Sequence, residues 1–348
     1  KKFIFPQNKE ISREVLSLAY PVILSNLSRV LMSVVDVAMV GRLGAGALAA
    51  TGMGSMVFWG ALSVLLGVRT AVQTVASRRL GQGLYKESGT ALRNGLAMAT
   101  SYCLPMSVFG WLYAKNFVPF FIEDPVATPM AIDYTTIIFI SLFFSGYSFV
   151  FQGFFTGIEK TKVHMRVTIT SNVLNVYLNA GLIYGTAEIN KFFIHEVPSF
   201  FFLKYLWSWI DFPPLGVKGA AIATVVSSVW MTANYIFNLF PPLINKRFSV
   251  FKLGLDWNMM KRQIKLAVPQ GLQESLIALG WGMFYKIVGM IGLLELAATE
   301  LLFTIMHTSF MPALGVGQAC STLVSKYMGE NKLENAVASI KESIRISE

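Results

Sequence analysis

Apolar positions along this chain come in continuous runs, not in alternation. Eight runs are long enough for bilayer-crossing helices, at roughly 15–41, 46–77, 90–114, 130–152, 163–185, 217–240, 263–291 and 296–325. A further stretch, 333–348, is amphipathic at helical spacing and reads as the start of a ninth helix. Strands of a membrane β-barrel would alternate apolar and polar residues, so that architecture is excluded. The pattern predicts an all-α polytopic membrane protein. Its first apolar run is too long for a cleaved signal peptide and lacks a small-residue cleavage site, so it is expected to be an uncleaved first span.

The chain also resembles itself. "LAYP" at 18–21 aligns with "LAVP" at 266–269, an offset of 266 − 18 = 248 residues. Without a gap, the same offset places "VGRLG" (40–44) on "VGMIG" (288–292), and "LAAT" (48–51) on "LAAT" (296–299). It also places "LGV" (66–68) on "LGV" (314–316). Composition alone does not produce ungapped matches at glycines, a proline and a threonine, so the repeat is genuine. Six helices separate the two copies, so both enter from the same side, as in transporters built from two parallel six-helix lobes. The expected lobes are 1–245, with transmembrane helices 1–6, and 246–348, with helices 7–8 and the start of 9. A full form of about twelve spans is expected.

Composition agrees: 54% of the 348 residues are hydrophobic, 14% are charged, and the mean hydropathy is +0.55. The net charge of +10 would suggest nucleic acid if it were not so unevenly placed. With the N-terminus cytoplasmic, 21 Lys and Arg fall in the inside segments and five outside: Arg42, Lys115, Lys191, Lys204 and Lys218. That alternation is the positive-inside bias, helped by anionic lipid, and no nucleic-acid partner is expected. Cys103 and Cys320 lie inside apolar runs, and His164, His195 and His307 are scattered, so no disulfide or metal spacing is present. "GRLGAG" lacks the Lys-Ser/Thr ending of a phosphate-binding loop. Nothing in the chain supports an enzyme or ATP-driven transport.

Polar residues within the spans carry the candidate chemistry. Asp36 lies about five residues from the outer end of helix 1, some 7–8 Å below the interface at ~1.5 Å per residue. A carboxylate there is costly. It either pairs with Arg29, seven positions earlier on the same face, or forms a proton or sodium site facing a cavity. Asn172, Asn175 and Asn179 share one face of helix 5. They are either interhelical glue or part of that site. Pro21 and Pro269 are repeat-equivalent and mark static kinks or hinges. Glu274 follows Pro269 by one turn, and packs with Gln270 or Gln273 or binds a cation.

At these residues the sequence resembles the multidrug and toxic compound extrusion family. The marks are Pro21 followed by "DVAMVGRLGAGALAA", "ASRRLGQG" at the end of helix 2, and "SNVLNVYLNAGLIYG" in helix 5. "AVPQGLQES" and "VSKYMGENK" add to it in the second copy. The resemblance implies an H⁺- or Na⁺-coupled antiporter that exports cationic or amphipathic organic compounds by alternating access. It implies a cation site of Asp36, Asn175, Asn179 and Thr224, with Glu274 contributing in the second lobe and no metal beyond Na⁺. It implies that helix 1 bends at Pro21, with Pro269 equivalent in helix 7. No cofactor is expected, and the chain is expected to be a monomer in the bilayer of the inner (plasma) membrane. Some family members have Asp where this chain has Asn179, which leaves one carboxylate in the lobe. The alternatives are a lipid-linked precursor flippase, whose cationic cavity only Arg29, Arg69 and Lys286 could supply, and a non-transporting membrane protein or channel. The loop 186–214 departs from the family in length and aromatic content. It lies on the outer membrane surface through Tyr205, Trp207 and Trp209, or is an insertion.

Overall fold

Ten helices hold most of the described residues, and no strand occurs among them. The computed structural model describes residues 8–122, 124–192, 194, 202, 204–252, 254–291 and 293–347. The helices are α1 Lys9–Gly41, α2 Ala45–Gly81, α3 Tyr85–Phe121, α4 Ala127–Gly157, α5 Thr161–Lys191, α6 Val217–Phe237, α7 Pro242–Phe248, α8 Trp257–Ile291, α9 Leu293–Gly329 and α10 Leu333–Ser347. Four of them, α1, α2, α4 and α6, are long and apolar enough to cross a membrane by length and composition. Most helices outrun the apolar runs that predicted them, because hydropathy marks only the lipid-crossing part; polar side chains fix the start of α1 and the approach to α4. Asn8 caps α1 by accepting a bond from Ile11 N at 3.2 Å, with Glu10 in the first turn. Before α4, Asp124 Oδ1 accepts from Ala127 N at 2.7 Å and Val126 N at 2.9 Å. Those donors hold its carboxyl below the usual carboxylate range. The stability this cap contributes is therefore present at neutral pH and lost as pH falls through the lowered value.

The expected boundary at residue 245 falls inside α7, a seven-residue helix with no apolar period that would announce it. Arg93 and Asn94 of α3 hold the segment after it: Arg93 Nη1 donates to Ser249 O at 2.6 Å, and Asn94 Nδ2 to Asp256 O at 2.9 Å.

α2 is the hub, packed against α3, α4, α8 and α9, while α1 lies against α5 and α9. Leu65, Val72, Leu92, Leu142, Val150 and Phe154 are buried in the core of the first six helices. Apolar burial alone holds lipid-embedded helices poorly, so small residues and polar bonds decide which faces meet. The repeat governs those meetings. A Cβ on Gly81 would stand 2.1 Å from Lys326 O, and one on Gly329 would stand 2.3 Å from Arg78 O. Residues 329 and 326 are 81 and 78 advanced by 248, so the two contacts are one contact seen from either copy. Likewise Gly67 meets the backbone of Ala267 and Gly271, and its counterpart Gly315 meets Ile23, the counterpart of Gly271. Such reciprocity is the mark of a two-fold axis.

A polar seam runs along the α2–α9 contact and continues to α1 and α10. Gln73 Nε2 donates to Thr322 Oγ1 at 2.9 Å and Ser77 Oγ to Thr322 O at 2.5 Å. Lys326 pairs with Glu159 at 2.7 Å, and Tyr327 OH donates to Glu14 at 2.5 Å. Glu342 of α10, only 2% exposed, accepts from Ser12 Oγ at 2.8 Å and pairs with Arg345. Tyr327→Phe removes one charge-assisted bond and is expected to destabilise this end of the bundle by about 1–2 kcal/mol. The thermal midpoint in detergent is the readout; an unchanged midpoint would mean the bond contributes nothing to closure.

Candidate functional site

α1 presents Asp36 to α5, and α5 answers with its amide face. Asn179 Nδ2 donates to Asp36 Oδ1 at 2.6 Å and to Asn175 Oδ1 at 2.8 Å. Asn175 and Asn179 are buried, while Asp36 is half-buried. The structure therefore brings three of the sequence-expected residues into one chain of contacts. Arg29 does not pair with Asp36; same-face spacing suggested that partner, but seven residues of helix separate the two by about 10 Å. Asn179 Oδ1 and Asn175 Nδ2 are buried with no hydrogen-bond partner. An unpaired amide oxygen beside a carboxylate is a hard-oxygen pair that suits H⁺ or Na⁺ better than a soft-metal ion. No cluster of three or more His, Cys, Asp or Glu fit for a metal ion occurs among the described residues.

Asn172, one turn before Asn175 on the same face, donates to Ser28 Oγ of α1 at 2.8 Å. It is the ordinary glue, set apart from the carboxylate. Asn172→Ala is thus expected to lower stability by about 1 kcal/mol and to leave ion coupling intact. Asn179→Ala is expected to damage both, and the comparison is read as thermal midpoint against transport rate.

Thr224 is not joined to this cluster by a hydrogen bond: its hydroxyl donates to Ala220 O of its own helix at 3.0 Å. Glu274 also stands apart, on α8, where Oε1 accepts from Gln270 Nε2 at 3.0 Å. The packing partner is Gln270, one turn back, which leaves Gln273 aside. Pro21 is buried within an unbroken α1, with Ser25 Oγ donating to its carbonyl at 2.7 Å, and Pro269 lies inside α8. The side chain of Lys286 lies outside the described residues.

Two tyrosines complete the surroundings, and sequence reading singled out neither. Tyr184 OH of α5 donates to Met39 O of α1 at 2.6 Å, and Tyr134 of α4 shares a 3.0 Å hydrogen bond with Ser55 of α2. Tyrosines in apolar helices carry no signal that separates them from lipid-facing ones. α5 is broken at Gly185, whose φ of +80° suits glycine, and a Cβ there would lie 3.1 Å from Phe212 O. The break lets the chain return along α5. Thr186 N donates to Phe212 O at 3.1 Å, and Trp207 stacks on Tyr177 with ring centres 5.2 Å apart. Trp207 Nε1 also donates to Tyr177 O at 2.9 Å. Trp207 is therefore anchored onto α5 two residues from Asn175, whereas Trp209 is 88% exposed. Residues 193, 195–201 and 203 of that loop lie outside the described residues. Arg42, without a charged neighbour in sequence, lies over the Phe192 ring at 5.0 Å.

A family model described as MatE matches residues 21–180 and 274–347. The chain belongs to the MatE family. The first matched segment holds Pro21, Asp36, Asn175 and Asn179, and the second opens on Glu274; Thr224 and Pro269 fall in neither. MatE proteins are multi-pass membrane transporters, not enzymes. The chain is 25% identical over 338 residues to the probable multidrug resistance protein NorM of Thermotoga maritima, covering 96% of this chain and 67% of that one. It is also 25% identical over 326 residues to the probable multidrug resistance protein NorM of Bradyrhizobium diazoefficiens, covering 91% and 64%. The chain thus spans about two-thirds of the length of these relatives. A solved MATE structure in its straight conformation superposes with a TM-score of 0.82 at 18% identity, covering 97% of this chain and 70% of that one. The MatE helical architecture is shared.

Proposed function

We propose that this MatE chain serves a cation-coupled antiporter that exports cationic or amphipathic organic compounds by alternating access. The observation that carries the reading is the Asp36–Asn179–Asn175 chain, a membrane-embedded carboxylate held by an amide whose own oxygen has no partner. A carboxylate at this depth is costly unless neutralised. An ion bound there favours the conformation that shields it, while substrate favours the one that admits it. Coupling needs no more than that difference. The ion is H⁺ or Na⁺. With the N-terminus cytoplasmic, the seam at Glu14, Glu159 and Lys326 closes the inner face of the transporter in a plasma membrane. The two NorM relatives are described as probable multidrug resistance proteins, which supports a broad organic substrate range.

The test reconstitutes the full-length protein in proteoliposomes and follows efflux of a fluorescent cationic dye under an imposed H⁺ or Na⁺ gradient. Efflux driven by one gradient alone is expected. A single observation favours a second reading, a flippase for lipid-linked precursors: Arg29 and Arg69 sit among the spans without an ion-pair partner within reach. Dye that moves under neither gradient would shift the assignment to it.

A further inference from the structure

α8 packs closely on α2 and only lightly on α3, and the gap leaves a groove of about 600 Å³ lined by all three helices. Val68 of α2, Met98 of α3, and Ile264, Val268 and Leu272 of α8 line it, and no charged residue does. Its two hydroxyls are already spent: Tyr102 OH donates to Ala61 O at 2.8 Å and Ser101 Oγ to Ala97 O at 2.9 Å. An organic cation finds no carboxylate there, whereas a hydrocarbon chain needs none. The end at the start of α8, where Leu255 and Trp257 stand, is fixed to α3. Arg93 Nε donates to Gly254 O at 3.1 Å, Asn94 Nδ2 donates to Asp256 O at 2.9 Å, and Asn94 Oδ1 accepts from Asp256 N at 3.2 Å. Trp257, Lys261, Ile264, Val268 and Leu272 follow helical spacing along one face of α8. Four of them line the groove, and Lys261 is the cation in their stripe. It is exposed and makes no ion pair with a described residue. The repeat carries the same order: Arg13, Leu16, Tyr20 and Leu24 are Lys261, Ile264, Val268 and Leu272 set back by 248 residues. All four remain exposed with α4, α5 and α6 in place, so this face of either copy is turned to lipid.

We infer that the groove between α3 and α8 seats one acyl chain of an anionic phospholipid, with Lys261 holding the phosphate at its mouth. The lipid is a resident ligand and not cargo. Its leaflet is the one that meets the start of α8, which is the cytoplasmic leaflet in the orientation proposed above. Lengths agree: Lys261 and Leu272 are eleven residues apart, about 16 Å of helix, and one leaflet has about 15 Å of hydrocarbon. A lysine at the mouth can lay its stem along the apolar wall and keep its ammonium at headgroup level, where Trp257 is 65% exposed. An anionic headgroup meets charge complementarity there that a zwitterionic one lacks. The seated chain would brace α3 against α8 beside the crossing of α8 with Gly67 of α2.

The test places the purified full-length protein in phosphatidylcholine vesicles doped with phosphatidylglycerol or phosphatidylcholine carrying a mid-chain diazirine. After illumination, labelled residues are mapped by mass spectrometry. Label is expected within 97–102 and 264–272 and at Val68, which is buried beneath the groove and so reports a seated chain. Phosphatidylglycerol should label these positions about fivefold more than phosphatidylcholine. Lys261→Gln should bring that ratio close to one. Arg262→Gln removes the same charge one residue away and off the stripe, and should keep the ratio. No label at Val68 overturns the seat. Equal labelling by the two lipids, or an equal loss of preference in the two variants, leaves only diffuse attraction to a basic face and overturns the headgroup contact. If a fluorescent cationic dye clears the Val68 label of both lipids and Lys261→Gln changes nothing, the groove is a substrate port and the lipid assignment falls. None of these outcomes bears on ion-coupled export, which is read separately.

Discussion

Asp36→Asn is expected to bind a cationic dye and export almost none. The amide has the volume of the carboxylate and keeps an oxygen for Asn179 Nδ2, so the 2.6 Å contact between α1 and α5 survives. Folding should change little, within about 1 kcal/mol for a hydrogen bond whose acceptor has become neutral. What is lost is the charge that an ion must neutralise. A neutral side chain presents the same face whether or not the gradient is applied, so it cannot favour one conformation in exchange for an ion. With the coupling energy removed, gradient-driven efflux in proteoliposomes should fall about 100-fold, while equilibrium dye binding in detergent stays within about threefold. Asn179→Ala makes the complementary case. It leaves the charge and removes its described partner, so coupling is impaired but not abolished and the thermal midpoint drops as well. If Asp36→Asn exports dye at the wild-type rate, Asp36 is a packing residue and Glu274 becomes the coupling candidate.

The expected Asp36 site rests on a fold that was legible where the physics is local. Continuous apolar runs locate α1–α6, α8 and α9, because long apolar runs without alternation have few fates other than a buried or lipid-facing helix; four of them, α1, α2, α4 and α6, are apolar enough by themselves to cross a bilayer. Their ends were not legible: α3 begins at Tyr85 and ends at Phe121, outside the apolar run 90–114, since polar residues carry a helix into the headgroup region without breaking it. α7 was missed because seven residues are too few for any period to show. The self-alignment anticipated more than the helix count did: it gave a parallel repeat, which the structure expresses in the reciprocal contacts at Gly81 and Gly329. Within the site, the family resemblance brought Asp36 and Asn179 together across 143 residues of chain, a distance no spacing rule can bridge. Thr224 and Glu274 came from the same resemblance and stand apart from the cluster. The anchoring of Trp207 was illegible for a related reason: its stacking on Tyr177 depends on the turn at Gly185, a long-range return that composition cannot foresee.

Three glycines, two of them in α2, supply the second large effect. Gly67→Ala is expected to destabilise the bundle by about 2–3 kcal/mol, whereas Gly60→Ala is neutral or slightly favourable. The added methyl group is the same and the helix is the same. At Gly60 nothing lies within 4 Å, so alanine brings only its better helix propensity. At Gly67 the new Cβ would stand 2.1 Å from Ala267 O and 2.6 Å from Gly271 N, both backbone atoms of α8. Neither can rotate aside, so α2 and α8 must separate along a stretch that includes the Ser63–Ser275 bond of 3.2 Å. Gly315→Ala tests the two-fold axis at the equivalent crossing of α9 with α1. There the nearest atom, at 2.5 Å, is Ile23 Cγ1, part of a side chain that can shift, and the backbone N is farther away at 3.2 Å. Its effect should therefore fall between the other two, at about 1 kcal/mol. Thermal midpoints of the three variants in one detergent give the order directly. If Gly67→Ala melts with Gly60→Ala, α2 and α8 do not approach as closely as the structure places them, and the reciprocal packing of the two copies loses one of its two tightest contacts.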